Sequence, residues 1–305
     1  MPQTLAAKKP VLRLRARIVS GIRRFFEDRG YLEIETPVMI PAPAPEPHIS
    51  TFKAGDLFLH PSPELCMKRL LASGYDRIFQ ICHCFREGER GTGHLPEFTL
   101  LEWYRAGADY LDLMGECEEL LLFLTSFQGS GKRIHYQGME IHLESPWDRL
   151  SVHEAFQRYG GLSPEKAMET DRFDEVMVEK IEPRLGIRKP VFLYDYPAPL
   201  GSLARLKKKA PHLAERFELY IGGVELANAF TELTDAREQR KRFERDRELR
   251  KQVGMAPCPL PEKFLDALPR MPPSAGIALG VDRLVMILAD RKAIDDVVAF
   301  TPEIL

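Results

Sequence analysis

Cysteine is scarce and scattered in this 305-residue chain. Its five copies, Cys66, Cys82, Cys84, Cys117 and Cys258, are odd in number and do not form a disulfide framework. No stretch approaches the roughly 18 uninterrupted apolar residues of a membrane span. The amino end, MPQTLAAKKPVLRLRAR, has no apolar core of signal-peptide length, so the expected location is a reducing cytoplasm. An excess of one charge is also missing. Lys and Arg number 43 against 45 Asp and Glu, a net charge of -2, so nothing draws the whole chain to nucleic acid or anionic lipid, and neither a stable DNA partner nor a membrane partner is expected. The phosphate loop GxxxxGK[ST] and the dinucleotide pattern are absent, as are repeats and low-complexity tracts. The segment C82-H-C84 looks metal-like, but neighbouring side chains on a strand point to opposite faces and no second Cys/His pair follows at zinc spacing. It is read as ordinary strand.

What is present is an ordinary globular composition, 44% hydrophobic and 29% charged. Residues 11–29 read as a helix, with Ile18, Ile22, Phe25 and Phe26 at helical spacing and Gly30 as its stop. YLEIETPVM is extended, with Pro37 at an edge or strand end, and PAPAPEPH is a stiff connection. A short strand then leads into a helix, with Ser62 as cap and Pro63 at the first helical position. RIFQICHCFR and EFTLLEWYR read as a hairpin joined by the polar loop EGERGTGHLP, and DYLDLMGECEELLLFLTSF as a helix. Residues 130–215 read as an elaboration on the main sheet, ending in the strand VFLYDYP and the basic LARLKKKA, a solvated helix face or loop. A charged surface helix, DAREQRKRFERDRELRKQVG, and a buried helix starting near Asp282 close the chain. One unit spanning 1–305 is expected.

The stretch RFELYIGGVELANAFTE sets Glu218, Glu225 and Glu232 among core-forming residues. Gly222-Gly223 suits a two-residue hairpin turn, because glycine tolerates positive φ at both places. Ile221 then faces Val224, Tyr220 faces Glu225 and Leu219 faces Leu226. Glu218 and Glu225 fall diagonally on one face, roughly 7–8 Å apart at the backbone. Two like charges so held destabilise a sheet unless a cation lies between them, and hard oxygen ligands suit Mg2+. Glu232, seven residues beyond Glu225, turns to the opposite face of a regular strand, so an irregularity around Ala229–Thr231 is expected if all three serve one pocket.

Other residues fit such a pocket. Arg86 closes a strand with a guanidinium fork suited to carboxylate or phosphate. Glu102 and Tyr104 share a strand face and could hold an ammonium group. GIALGVDRL places small residues before Asp282 and Arg283, where backbone can approach a ligand closely. In this order the chain resembles the class II aminoacyl-tRNA synthetases. FFEDRGYLEIETPVM is similar to their first motif, CFREGERGTGHLPEFTLLEWY to the second and GIALGVDRL to the third. SPELCMKRL and GGVELANAFTEL point to the lysyl branch, and within it to the stand-alone paralogues that attach (R)-β-lysine to elongation factor P.

The resemblance covers roughly residues 14–300. It implies an α+β fold, a mainly antiparallel sheet flanked by helices, and a homodimer through the first motif. It also implies an ATP-dependent ligase that activates (R)-β-lysine or lysine as an acyl adenylate, needs Mg2+, and has elongation factor P as acceptor. By carry-over, Arg86 holds the substrate carboxylate and α-phosphate, and Arg283 the γ-phosphate side. Glu218 and Glu225 bind metal. Ser62, Pro63, Glu64, Glu102, Tyr104, Glu232 and Ala278 surround the amino acid, while Glu87, Gly88, Glu89, Leu95, Glu225, Leu226 and Gly280 border the nucleotide. Gly88 stands where the family has its adenine-reading glutamate, so Glu87, Glu89 or backbone must substitute. Ala278 replaces a glycine of lysine-charging enzymes, and Ala229 and Thr231 also depart from the ligase pattern. No anticodon-binding domain is expected, which makes tRNA an unlikely partner.

Overall fold

The computed structural model describes residues 5–129 and 131–305. Helix α1 (Lys9–Glu27) buries the stripe Ile18, Ile22, Phe25 and Phe26, and Gly30, at φ +73°, reverses the chain behind it. The segment after it holds the two-residue strands β1 (Leu32–Glu33) and β2 (Met39–Ile40). With β3 (Lys53–Ala54) and β4 (Leu57–Leu59), β2 forms a small separate sheet in the order β2-β4-β3. Helix α2 (Glu64–Leu71) starts one residue later than expected. Pro63 is its flanking residue, and Ser62 Oγ accepts the Glu64 N–H at 3.0 Å.

The hairpin β5 (Arg77–Phe85) and β6 (Glu97–Ala106) runs in register from Arg77–Arg105 to Phe85–Glu97. It is followed by α3 (Tyr110–Gln128), whose start is fixed by an Asp109–Asp112 capping box. Residues 131–215 contribute the ribbon β7 (Arg133–Tyr136) and β8 (Met139–His142) and the strand β9 (Asp148–Ser151). They also supply the short helices α4 (Val152–Ala155), α5 (Pro164–Glu169) and α6 (Phe173–Val176), then β10 (Val191–Pro197) and β11 (Leu206–Lys207). LARLKKKA is therefore a bend and a hairpin rather than a helix face. The long strands β12 (Ala210–Ile221) and β13 (Val224–Thr231) follow, then the helices α7 (Ala236–Gln252) and α8 (Glu262–Ala267). Strand β14 (Ser274–Gly280) leads straight into α9 (Val281–Leu288).

The main sheet has nine strands in the order β1-β5-β6-β14-β13-β12-β10-β9, with β11 on β12; β1–β5 and β9–β10 are parallel pairs and the rest antiparallel. Alternation then divides the residues between two faces. On one face, Leu101, Trp103, Leu219, Ala229 and Ile277 join α1, α3 and α9 in the largest core, where Phe26 stacks on Phe79 at 4.9 Å between ring centres. A second core lies between α4, α6 and β10, so the 131–215 segment extends the same sheet and covers its end. A third packs α2, α7 and α8 over Ile78 and Tyr104, roofing the opposite face. The charged helix α7 buries Phe243 there, with Gln239, Arg242 and Asp246 also buried.

Candidate functional site

The opposite face of the sheet floors a cavity of about 300 Å³. Cross-strand pairing dictates its floor, because Leu100–Gly280, Glu102–Ala278 and Tyr104–Gly276 are direct partners across β6 and β14, and Ala278 and Gly276 partner Asn228 and Phe230 of β13. Gly276 has ordinary φ; it is required by close approach. A Cβ built there lies 2.2 Å from Tyr104 Cε1 and 2.5 Å from Glu232 Oε1, closer than a non-bonded atom could sit.

The hairpin carrying the three glutamates turns at Gly222 (φ +61°) and Gly223 (φ +77°), and the pairs Ile221–Val224 and Tyr220–Glu225 form as the turn chemistry dictates. The next pair differs. Leu219 meets Ala227, not Leu226, because Leu226 is an extra residue in β13. This bulge changes the parity of everything beyond it, so Glu218 pairs with Asn228 and Arg216 with Phe230. Glu218, Glu225 and Glu232 thus belong to one face. The irregularity required by their spacing exists, but at Leu226 instead of Ala229–Thr231, which pair regularly with β14. At Leu226 it keeps Ala227 and Ala229 in the core while Asn228 and Phe230 line the cavity.

At one end of the cavity acids collect. Glu102 accepts from Ser62 Oγ at 2.6 Å and from Tyr104 OH at 2.7 Å. Burial, and then the Glu64 carboxylate, push its pKa up to about 8. Glu46, from the proline-rich connection, also lines the wall and is raised to about 7 by burial and by Glu64. Such carboxyls resist ionising until a cation compensates them. Glu232 lies one layer behind, fully buried, ion-paired through Oε2 to the equally buried Lys68. Lys68 also holds Glu64 at 2.5 Å. Burial alone would push the Lys68 ammonium down, but Glu232 and Glu64 reverse this and the net shift is upward, while burial pushes the Glu232 carboxyl up to about 8 despite the Lys68 charge. Glu232 Oε1 has no hydrogen-bond partner among the described residues, and it lies directly behind Gly276, where a side chain would meet it.

Cationic groups stand along the rest of the wall. Arg86 lies over the Phe98 ring at 5.0 Å, reaches Glu89 only at 3.6 Å, and has a buried Nε with no acceptor among the described residues. Arg283, on the first turn of α9, donates to Glu225 O at 2.8 Å and Gly93 O at 3.2 Å, while its Nη2 lies 2.6 Å from His94 Nε2. A guanidinium only donates, so His94 accepts through Nε2 and is neutral; burial and the Arg283 charge both hold its pKa low. His94 therefore braces the Arg283 guanidinium. The adjacent Asp282 ion-pairs with Arg15 of α1 and accepts from Thr99 N at 2.7 Å, tying α9, α1 and β6 together. Arg216, between Glu218 and Asn228, is a further wall cation.

Of the expected residues, Ser62, Glu64, Arg86, Glu89, Leu95, Glu102, Tyr104, Glu225, Leu226, Ala278, Gly280 and Arg283 line this one cavity. Several do not. Pro63 only introduces α2, and Gly88 is an exposed turn residue at φ +81°. Glu87 lies in a separate groove with Lys53 and Arg250, so of the substitutes for the missing glutamate it is Glu89 that reaches the wall. Glu218 is turned inward: Oε2 accepts from Tyr196 at 2.5 Å and Tyr220 at 2.7 Å, and Oε1 from Arg216 at 2.6 Å. One lone pair on Oε1 remains. Glu225 offers a second carboxylate, whose oxygen chemistry suits a hard cation, and Glu182 is raised to about 7 by burial and then by the charges of Glu225 and Glu218. Lys68, Arg216, Glu46, Glu182 and Asp282 had no assigned role in the sequence reading. Only Lys68 had a local signal, its spacing of four from Glu64 on a helix.

Comparison with known proteins adds two findings. The family model described as tRNA synthetases class II (D, K and N) matches residues 5–303. An elongation factor P–(R)-β-lysine ligase from Salmonella gallinarum is 42% identical, over 97% of this chain and 96% of the relative. One of the same description from Erwinia tasmaniensis is 43% identical, over 94% and 93%.

Proposed function

Because the chain belongs to the class II tRNA synthetases of the D, K and N type, we propose that it uses ATP to activate (R)-β-lysine or lysine and transfers the acyl group to a lysine ε-amino group of elongation factor P. The observation that carries this reading is the polarity of the cavity. A buried guanidinium nitrogen without an acceptor stands at one part of the wall and carboxyls held from ionising stand at another, as an amino acid with a second positive charge requires.

The substrate's side-chain ammonium enters over Gly276, among Glu102, Tyr104 and the free oxygen of Glu232, with Ser62 and Glu64 beside them. Arg86 takes the carboxylate and the α-phosphate. One carboxylate oxygen attacks the α-phosphorus, the bond to the β-phosphate oxygen breaks, and pyrophosphate leaves with that electron pair. The acceptor amine then attacks the acyl carbonyl, loses a proton and expels AMP, forming an amide. Neither step needs a protein nucleophile; fixed charges that align and neutralise the reacting groups suffice. Arg283, braced by His94 and Gly93, faces the distal phosphates, and Glu89 faces the base. Mg2+ would be held by Glu225 and the remaining lone pair of Glu218, and when bound it supplies charge neutralisation at the phosphates.

Two copies are proposed to associate through the segment after α1, where Leu32, Val38 and Met39 are 51%, 40% and 53% exposed. Light scattering that gives one chain's mass would remove that part. No helix among the described residues is long and apolar enough to cross a membrane, and work in the cytoplasm is proposed. The test of function is intact-mass analysis of elongation factor P after incubation with the protein, ATP and either isomer of lysine. A gain of one lysyl residue supports the reading; charging of tRNA with no change in the factor overturns it.

A further inference from the structure

Strand β5 carries Cys82 and Cys84 two residues apart, so their side chains share a face, while His83 points away to Glu97. The pair therefore meets the one-face requirement, and its third partner is remote in sequence. His60, between β4 and α2, brings a ring nitrogen to the two sulfurs, and the three potential ligand atoms lie within 4.8 Å of one another. Its backbone is pinned on both sides, N–H to Val38 O at 2.9 Å and C=O from Phe85 N at 3.0 Å. The ring is 1% exposed. Nε2 lies 2.8 Å from the carbonyl oxygen of His83, which can only accept, so Nε2 carries the proton. Nδ1 is left as a lone-pair nitrogen, buried and without a hydrogen-bond partner among the described residues. A backbone carbonyl that fixes one ring N–H and so frees the other nitrogen is the outer support found behind metal-ligating histidines.

The sulfur spacing agrees. Cys82 Sγ and Cys84 Sγ are 3.8 Å apart, and two thiolates at the usual Zn–S distance of about 2.3 Å span about 3.8 Å along a tetrahedron edge. We propose that His60, Cys82 and Cys84 form a binding site for a thiophilic d10 cation of the Zn2+ class, with two thiolates, one imidazole and a fourth position for water. Loading expels the two thiol protons. The ion joins the chain just before Ser62 to the strand just before Arg86, and so fixes the two sides of the cavity relative to each other. Soft sulfur ligands separate it from the oxygen-lined corner at Glu225.

The test is titration of the reduced full-length protein with Zn2+ against a chromophoric chelator, and with Co2+ followed by absorption. The expected result is one ion per chain, sulfur-to-cobalt charge-transfer bands, and a thermal midpoint raised by Zn2+. Cys84→Ser and His60→Ala are expected to weaken binding at least tenfold, while Cys258→Ser leaves it unchanged. Cys82→Ser, at the more accessible thiol, serves if the buried variants do not fold. Stoichiometry below one half, binding unchanged in Cys82→Ser, or oxidation of the pair to a disulfide with no metal uptake after reduction overturns the proposal.

Discussion

In the proposed reaction Arg86 is the side chain on which the chemistry most depends, because it lines the cavity and its buried Nε has no acceptor among the described residues. Arg86→Ala is expected to lower adenylate formation by about 100- to 1,000-fold, the scale of losing a charge-stabilising donor, with the thermal midpoint nearly unchanged. Glu102 gives a pH dependence of definite sign. Its pKa of about 8 lies above the ordinary carboxyl value, so the ligand-free protein holds a proton there that a bound ammonium displaces. Affinity for the cationic amino acid should rise about tenfold per pH unit up to about pH 8 and then level. Calorimetry in buffers of different ionisation enthalpy should show proton release, and Glu102→Gln should weaken both signatures, leaving the share of Glu46 and Glu232. Gly276→Ala places a methyl between Tyr104 and Glu232. It should raise KM for the amino acid far more than KM for ATP, with an overpacking cost of about 1–3 kcal/mol in stability.

At the scale of elements, two features decide where these side chains point. One is the Leu226 bulge. Deleting Leu226 would put Asn228, Phe230 and Glu232 toward α3 and α9 and bring Ala227 and Ala229 to the cavity, so loss of near-ultraviolet dichroism and of all adenylate formation is expected together. The other is the Lys68–Glu232 pair between α2 and the end of β13. Lys68→Met leaves a buried carboxylate without its cation and should cost about 3–5 kcal/mol in chemical denaturation; Lys68→Met with Glu232→Gln should recover most of it. These features also mark how far the sequence could be read. The glycine turn, the strand VFLYDYP and the helix after Gly280 follow from local chemistry, and so did the pairs next to the turn. The position of the bulge did not, because it depends on how β13 meets both neighbours: with Leu226 as the extra residue opposite β12, Asn228 and Phe230 face the cavity beside Ala278 and Gly276. The partners Lys68 and His60 were hidden for a similar reason, since each meets residues distant in the chain.

At the scale of the molecule, the nine-stranded sheet separates an apolar face that supplies the main core from a polar face that is costly to assemble without ligand. Glu102 contributes stability below the ordinary carboxyl range, where both folded and unfolded chains are protonated, and loses it as pH rises through about 8. The ligand-free protein should therefore lose part of its stability between about pH 4.5 and 8, and a saturating cationic amino acid should restore it in a thermal-shift series. The helix that leads into the first motif meets the second and third motifs through Arg15 of α1, Thr99 of β6 and Asp282 of α9, so segments far apart in the chain are tied together beside one cavity. The most direct measurement is isotope exchange between pyrophosphate and ATP driven by (R)-β-lysine or lysine, in the wild type and in folded Arg86→Ala. The wild type should exchange and the variant should fall to background; exchange at the wild-type rate in the variant, or none in either, would contradict the account.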